Sequence, residues 1–193
     1  MPTKPKDNGN LEAKLALRRY FLQRYANDSA SVLDCCQGQG VLWGRLRSEF
    51  NIKSYFGVDL KSKPGRIKID SVRILDQPGW PFTVIDVDTY GSPWRHWQAL
   101  IKHLRHPATV FLTIGMVKIG GGNTSIESVM AMQIDLKSAI PTTLKTKADE
   151  RFGLTYSLAT AQQHGLEIVE AVESKTDSRT VRYVGVRLKP VDK

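Results

Sequence analysis

The chain has 193 residues, 41% of them hydrophobic and 24% charged, proportions that exclude wholesale disorder and suffice for one hydrophobic core. Lysine and arginine number 28 against 19 acids, a formal net charge of +9, which favours an anionic partner, nucleic acid first. No apolar run approaches the roughly 20 residues of a membrane span, and the N-terminus MPTKPKDNGN lacks the apolar stretch of a signal peptide.

Residues 1–10 read as a flexible basic tail and 11–193 as a single domain. In LEAKLALRRYFLQRY, Leu11, Leu15, Leu22 and Tyr25 fall at helical spacings, predicting a helix over 11–25. SVLDCC at 31–36 is a short apolar strand running into the loop QGQG, and VLWGRLRSEF at 41–50 has helical periodicity. Its two cysteines, Cys35 and Cys36, are the only ones and are adjacent, so no disulfide framework exists and the expectation is a reduced, cytoplasmic protein. Strands are then predicted at 54–60, 66–70 and 82–87, a helix at 93–104 and a strand at 108–114. After KIGGGNTS, a candidate lid or a plain surface loop, helical patterns cover 125–140 and 147–164. Strands at 166–174 and 180–190, joined by the polar turn KTDS, close the chain. Strands alternating with helices and ending in a hairpin imply an α/β three-layer sandwich. Its sheet is seven-stranded and mostly parallel, with an antiparallel C-terminal hairpin strand.

Ligands bind such sheets at the carboxyl ends of the strands, where the strand order reverses. The first predicted strand ends in Asp34, followed by Cys36, Gly38 and Gly40. A P-loop would need Gly-Lys-Ser/Thr, which is absent. A dinucleotide fingerprint read from Gly38 would place the bulky Trp43 at its sixth position, and Asp34 would repel a pyrophosphate. The acid suits a cation instead, and S-adenosylmethionine carries an ammonium and a sulfonium and no phosphate. Asp59 ends the second strand nineteen residues beyond Gly40, a distance suited to ribose hydroxyls. Asp70 and Ser71 end the third. Asp59 and Asp70 fit helix N-caps equally well when taken singly.

VLDCCQGQG resembles the first motif of the Rossmann-like (class I) S-adenosylmethionine-dependent methyltransferases, with Cys36 where that family most often has its first glycine. The resemblance covers about residues 30–190. It implies S-adenosyl-L-methionine as cofactor, held by Asp34, Cys36, Gly38, Gly40, Asp59, Asp70 and Ser71, with the acid at Asp70 meeting the adenine amino group. The fourth strand runs through VIDVD into DTYGSP, placing Asp86 and Asp88 on one side of it. DTYGSP is similar to the corresponding turn of exocyclic-amine methyltransferases, and closer to the Asp-Pro-Phe/Tyr-Gly-Ser-Pro segment of the tRNA guanine-N2 dimethyltransferases. That likeness implies catalysis by Asp88 and Tyr90. Asp88 and the backbone carbonyl of Thr89 would accept hydrogen bonds from the substrate NH₂, and Tyr90 would stack on the base, with Gly91 and Trp94 lining the substrate site. Asp86 is expected to face the cofactor side or to cap a neighbouring backbone group, and is assigned no role.

Thr89 stands where those families have proline, which leaves the methylated atom open. A small-molecule or protein substrate is an alternative, as is a non-catalytic module that keeps the fold and binds nucleic acid or a partner. A homodimer or partner subunit would add substrate surface. Trp94 and Trp97 fit a wall beside a flipped base, though aromatics at that spacing are more often core. Lys14, Arg18, Arg19 and Arg24, with Lys145, Lys147 and Arg151, are candidate phosphate contacts. His103 and His106 have no companions that would complete a metal site.

Overall fold

A computed structural model describes residues 10–26, 29–61, 66–89, 93–115, 159–174 and 181–191. Helix α1 (Leu11–Tyr25) covers the predicted span and buries Leu15, Leu17, Phe21 and Leu22. It also buries Lys14 and Arg18, two cations that interrupt the apolar stripe. Then come β1 (Ala30–Asp34), α2 (Val41–Glu49), β2 (Ile52–Asp59), β3 (Ile67–Lys68), α3 (Ser71–Leu75), β4 (Val84–Val87), α4 (Trp94–His103), β5 (Ala108–Gly115), β6 (Leu166–Ser174) and β7 (Val181–Pro190).

The expected strand over 66–70 shrinks to two residues because Asp70 turns the chain into α3. Its side chain accepts from the Val72 amide at 3.0 Å, an N-cap that the sequence reading did not extend into a helix. Of the helix expected over 147–164, only 159–164 is described, and 159–163 is helical. The helix over 125–140 and the KIGGGNTS loop lie outside the described residues.

The seven strands form one sheet in the order β3-β2-β1-β4-β5-β7-β6. Neighbours from β3 to β5 are parallel, and β7 is antiparallel to both β5 and β6. The expected architecture is therefore present. From β1 the chain winds outward to β2 and β3, then crosses back to β4 on the other side of β1. The order reverses between β1 and β4, so their carboxyl ends flank the switch-point crevice.

Alternation along β4 sorts the core into two layers. Ile85 and Val87 pack with Trp97, Leu100 and Ile101 of α4. Val84 packs with Leu15 and Phe21 of α1 and Trp43 and Leu46 of α2. Asp86, two residues on from Val84, faces α1 and α2 as well. Helix α1 comes so close to β7 that a Cβ on Gly185 would lie 2.4 Å from the Phe21 ring. Among the described residues, no helix is long and apolar enough to cross a membrane.

Candidate active site

The loop after β1 has a backbone that only glycine adopts freely at two positions, with φ of 53° at Gly38 and 70° at Gly40. Its amides are tied to the neighbouring strands: Cys35 N–H donates to the Asp86 carbonyl and Gln37 N–H to the Val58 carbonyl, both at 2.9 Å. Asp59 clamps the loop from the end of β2, its Oδ2 accepting from Gly38 N–H at 3.0 Å and its Oδ1 from Lys61 N–H at 2.9 Å. Asp34 accepts from the Tyr55 hydroxyl at 2.7 Å and, weakly, from Cys36 N–H at 3.4 Å.

Burial, and next the charge of Asp86, push the Asp34 pKa up to about 7 against the pull of the Tyr55 hydrogen bond. Burial and then the charge of Asp34 also raise the Cys36 thiol, which therefore stays protonated and serves as a small side chain. Gly57 pairs with Asp34 across the sheet. A Cβ there would lie 2.7 Å from both the Tyr55 hydroxyl oxygen and Gln37 Cδ, so glycine makes room for the Asp34–Tyr55 bond. Over the same loop, Arg66 Nη2 lies 3.8 Å from the position a Gly40 Cβ would take, and its buried Nη1 has no hydrogen-bond partner.

At the head of α3, Ser71 donates its hydroxyl proton to the Cys35 carbonyl at 3.0 Å, and its Oγ lies 2.8 Å from His96 Nε2 on α4. Burial lowers the His96 pKa to about 4, with the Asp70 charge opposing and Arg95 assisting, so the ring is neutral. Its Nδ1 is buried and has no partner. The two tryptophans resolve as core. Trp94 is 4% exposed and Trp97 0%, both within the α4 cluster, and Trp97 Nε1 donates to Thr160 Oγ1 at 2.9 Å. Trp94 is thus no open wall for a substrate: α4 must bury its apolar face on the sheet, and both indoles lie on it.

Asp86 and Asp88 are held by the buried cations of α1. Arg18 donates to Asp86 through Nε at 2.7 Å and Nη2 at 2.6 Å, and Trp43 Nε1 donates to the same carboxylate at 2.7 Å. The guanidinium also donates to the Lys14 carbonyl at 3.1 Å and sits 4.9 Å from the Phe111 ring centroid. Lys14 Nζ reaches both Asp88 oxygens, at 2.7 and 2.6 Å, and Thr113 Oγ1 donates to Asp88 Oδ1 at 2.7 Å.

The geometry explains the match. Four residues of helix rise about 6 Å and two residues of strand about 6.6 Å, so Lys14 and Arg18 meet Asp88 and Asp86 rung for rung as α1 runs opposite to β4. Burial alone would raise the Asp88 pKa, but the charges of Arg18 and Lys14 and the hydrogen bonds from Lys14 and Thr113 outweigh it and hold the carboxyl below its ordinary value.

This corrects the reading of Lys14 and Arg18 as phosphate contacts. Lys14 and Arg18 are spent on the β4 acids, and Arg19 forms paired hydrogen bonds to Glu49 at 2.6 and 2.7 Å. Arg24 is half-exposed beside Glu170, at 3.3 Å. Tyr90, Gly91, Lys145, Lys147 and Arg151 lie outside the described residues. Thr89 follows Asp88 directly and its buried Oγ1 has no partner. His106 Nε2 lies 3.1 Å from the Trp80 carbonyl and His103 Nε2 3.5 Å from Asp76. Among the described residues, no group of three or more His, Cys, Asp or Glu could hold a metal ion.

The sequence reading missed Tyr55, Thr113 and His96 as members of the site. It had one usable signal for Lys14 and Arg18: two cations four apart on an otherwise apolar helix face, with two acids two apart on a strand.

No protein-family model and no curated protein sequence matches the chain. Solved structures do. Trm1 from Pyrococcus horikoshii, in complex with S-adenosyl-L-methionine, superposes with a TM-score of 0.65 at 14% identity over 95% of this chain and 57% of its own. The chain thus spans little more than half of that protein. TYW2 from M. jannaschii, in complex with AdoMet, gives 0.60 at 10% identity over 97% of this chain and 80% of its own. A putative hemolysin from Lactococcus lactis gives 0.59 at 13% identity, covering 93% and 90%. Identities this low carry the fold: the chain has the Rossmann-like methyltransferase fold.

Proposed function

We propose that the chain is a methyltransferase that uses S-adenosyl-L-methionine and acts on an exocyclic amine of a base in RNA or DNA. One observation carries the reading: an ionised carboxylate, Asp88, stands just past β4 at the switch point, across from an acid and a bare glycine loop at the end of β1. The S-adenosyl-L-methionine bound in the Trm1 and TYW2 structures supports it.

The residues present fit that cofactor. Asp34 suits an ammonium. Asp59 has both oxygens oriented by backbone amides, and each keeps a second lone pair for a ribose hydroxyl. Arg66 Nη1, a buried donor without a partner beside Gly40, suits the cofactor's carboxylate. Cys36, Asp70 and Ser71 complete the lining on the strength of the family resemblance. When bound, the cofactor supplies an activated sulfonium methyl group.

The chain's own part is alignment and charge. Asp88 Oδ1 has both lone pairs taken, by Lys14 and Thr113, while Oδ2 is engaged once, by Lys14. One lone pair is left, which suits one N–H of the substrate amine; the Thr89 carbonyl takes the other. Two fixed acceptors orient the amine nitrogen, which is where an in-line transfer gains most, and the carboxylate stabilises positive charge growing on nitrogen. Stacking on Tyr90 would add about 1–3 kcal/mol, with Gly91 leaving space for the base. The formal charge of +9 favours a polyanionic substrate, and the likeness of DTYGSP to the guanine-N2 enzymes favours tRNA as the first to try. A second copy or a partner subunit is the expected source of further substrate surface.

Calorimetric titration with S-adenosylmethionine and S-adenosylhomocysteine, followed by transfer from a methyl-labelled donor to RNA and DNA, tests the reading. Saturable binding lost in Asp59→Ala, and transfer lost in Asp88→Ala with binding kept, are expected. A well-folded protein that binds neither compound would overturn it.

A further inference from the structure

Lys14 and Arg18 are committed to the β4 acids, so cations free to meet a polyanion lie elsewhere. Several surface cations are matched by carboxylates: Arg19 by Glu49 at 2.6 Å, Arg45 by Glu12 at 3.1 Å, Lys102 by Asp76 at 3.2 Å and Lys189 by Glu167 at 2.9 Å. The β2–β3 edge of the sheet differs. Residues 51–75 hold six lysines and arginines and two acids. Both acids are turned to backbone amides, Asp59 to those of Gly38 and Lys61 and Asp70 to that of Val72. Lys53, Lys68 and Arg73 are exposed, and among the described residues none of the three forms an ion pair.

This edge is open and leads to the site. Strand β3 pairs only with Val58 and Asp59 of β2, and among the described residues no strand covers Ile52–Gly57 on that side. Lys68 lies opposite Asp59 at the carboxyl end of β2, and Arg73 is on α3 just beyond. Lys53 stands near the other end of β2, about 20 Å away at a strand's rise per residue. That length accommodates several consecutive phosphates. Lysine is depleted from protein–protein interfaces and is, with arginine, the usual phosphate contact, so the composition of the edge favours a nucleic-acid backbone over a protein.

We propose that this edge binds the sugar–phosphate backbone of a nucleic acid through Lys53, Lys68 and Arg73, and so holds the strand whose base enters the site. The inference rests on the nucleic-acid part of the reading above. Such contacts carry affinity and no sequence preference, because every nucleotide offers the same phosphate.

Fluorescence anisotropy with a labelled mixed-sequence single-stranded RNA, and with the matching DNA, over a range of salt tests the proposal. A triple variant, Lys53→Gln with Lys68→Gln and Arg73→Gln, removes three charges that no side-chain bond within the protein engages. Its thermal melt and its affinity for S-adenosylhomocysteine should match the wild type. Each phosphate contact contributes about 0.7 to the slope of log affinity against log salt for a single strand. The triple variant should therefore lose about 2 from that slope and bind roughly a hundredfold more weakly at about 0.1 M salt. A control triple of equal net charge, Arg24→Gln with Lys102→Gln and Lys189→Gln, removes paired cations instead and should lose less than about threefold. An equal loss in both triples refers the effect to overall charge and overturns the inference. Unchanged affinity in the first triple also overturns it, leaving the edge cations as guards against strand pairing or as contacts for an acidic protein. In both cases the methyltransferase reading stands. A wild type that binds S-adenosylhomocysteine and neither nucleic acid overturns the inference and the nucleic-acid substrate together, and leaves the cofactor reading intact.

Discussion

Replacing Arg18 by methionine isolates the energetics of the buried ladder. Arg18 and Asp86 are each 1% exposed, and the substitution removes two hydrogen bonds to Asp86, a third to the Lys14 carbonyl and, among the described residues, the only formal positive charge in contact with Asp86. Methionine fills much of the same volume against Phe111, so the cavity contribution is small. What remains is a buried carboxylate with one donor, Trp43 Nε1. Breaking a buried pair from one side costs about 3–5 kcal/mol, and the surviving indole bond argues for the lower half. In a chain of this size each kcal/mol moves the unfolding midpoint by about 2–4 °C, which gives a drop of roughly 6–16 °C. Asp86→Asn alone should be comparably damaging, because it strands the guanidinium instead. Combining Asp86→Asn with Arg18→Met removes both charges and keeps an oxygen for Trp43, so the double variant should recover more than half of the loss. Urea unfolding at neutral pH reads all three. A cost below about 1 kcal/mol for Arg18→Met, or a double variant no better than the singles, would refute the argument that the pair is buried and self-compensating.

Gly185→Ala places a methyl 2.4 Å from the Phe21 ring; it should destabilise by about 1–3 kcal/mol, and Phe21→Leu should relieve part of that in a thermal melt. Asp34, with its pKa raised from 3.8 to about 7, binds a proton more tightly folded than unfolded. Between these two values the folded state holds more protons, so stability falls as pH rises through that window and levels off above it; Asp34→Asn should abolish that slope in urea titrations, and binding of S-adenosylmethionine, if its ammonium meets Asp34, should strengthen as pH rises through about 7 in the wild type only. Lys14→Met removes one of the charges and one of the donors that hold the Asp88 pKa down. The acidic limb of the pH–rate profile for methyl transfer should therefore move to higher pH, with cofactor affinity unchanged; an unmoved limb would show that Lys14 does not set the ionisation of Asp88.

The elements of this fold are local properties and could be read from the chain. The short apolar run of VIDV, helical spacing in LEAKLALRRYFLQRY and the glycines of QGQG each specify a strand, a helix or a turn within a dozen residues, because side-chain direction and left-handed φ are decided there. Aspartates at the ends of three consecutive strands marked the site for the same reason. Helix α3 escaped because five residues are too few to show a period, and its one local sign, Asp70 as N-cap, fits a ligand contact equally well. The partnerships of the charges were not legible. Lys14 and Arg18 on α1 read as candidate phosphate contacts until strand order carried β4 beneath that helix, 74 and 68 residues away in sequence. His96 and Ser71 meet only because α3 and α4 pack side by side on one face of the sheet. Sequence by itself determined which residues are strand, turn and helix and which acids stand at strand ends. Only the tertiary structure decided which of those acids are neutralised by a buried cation, because burial and charge pairing depend on the layers that close over them.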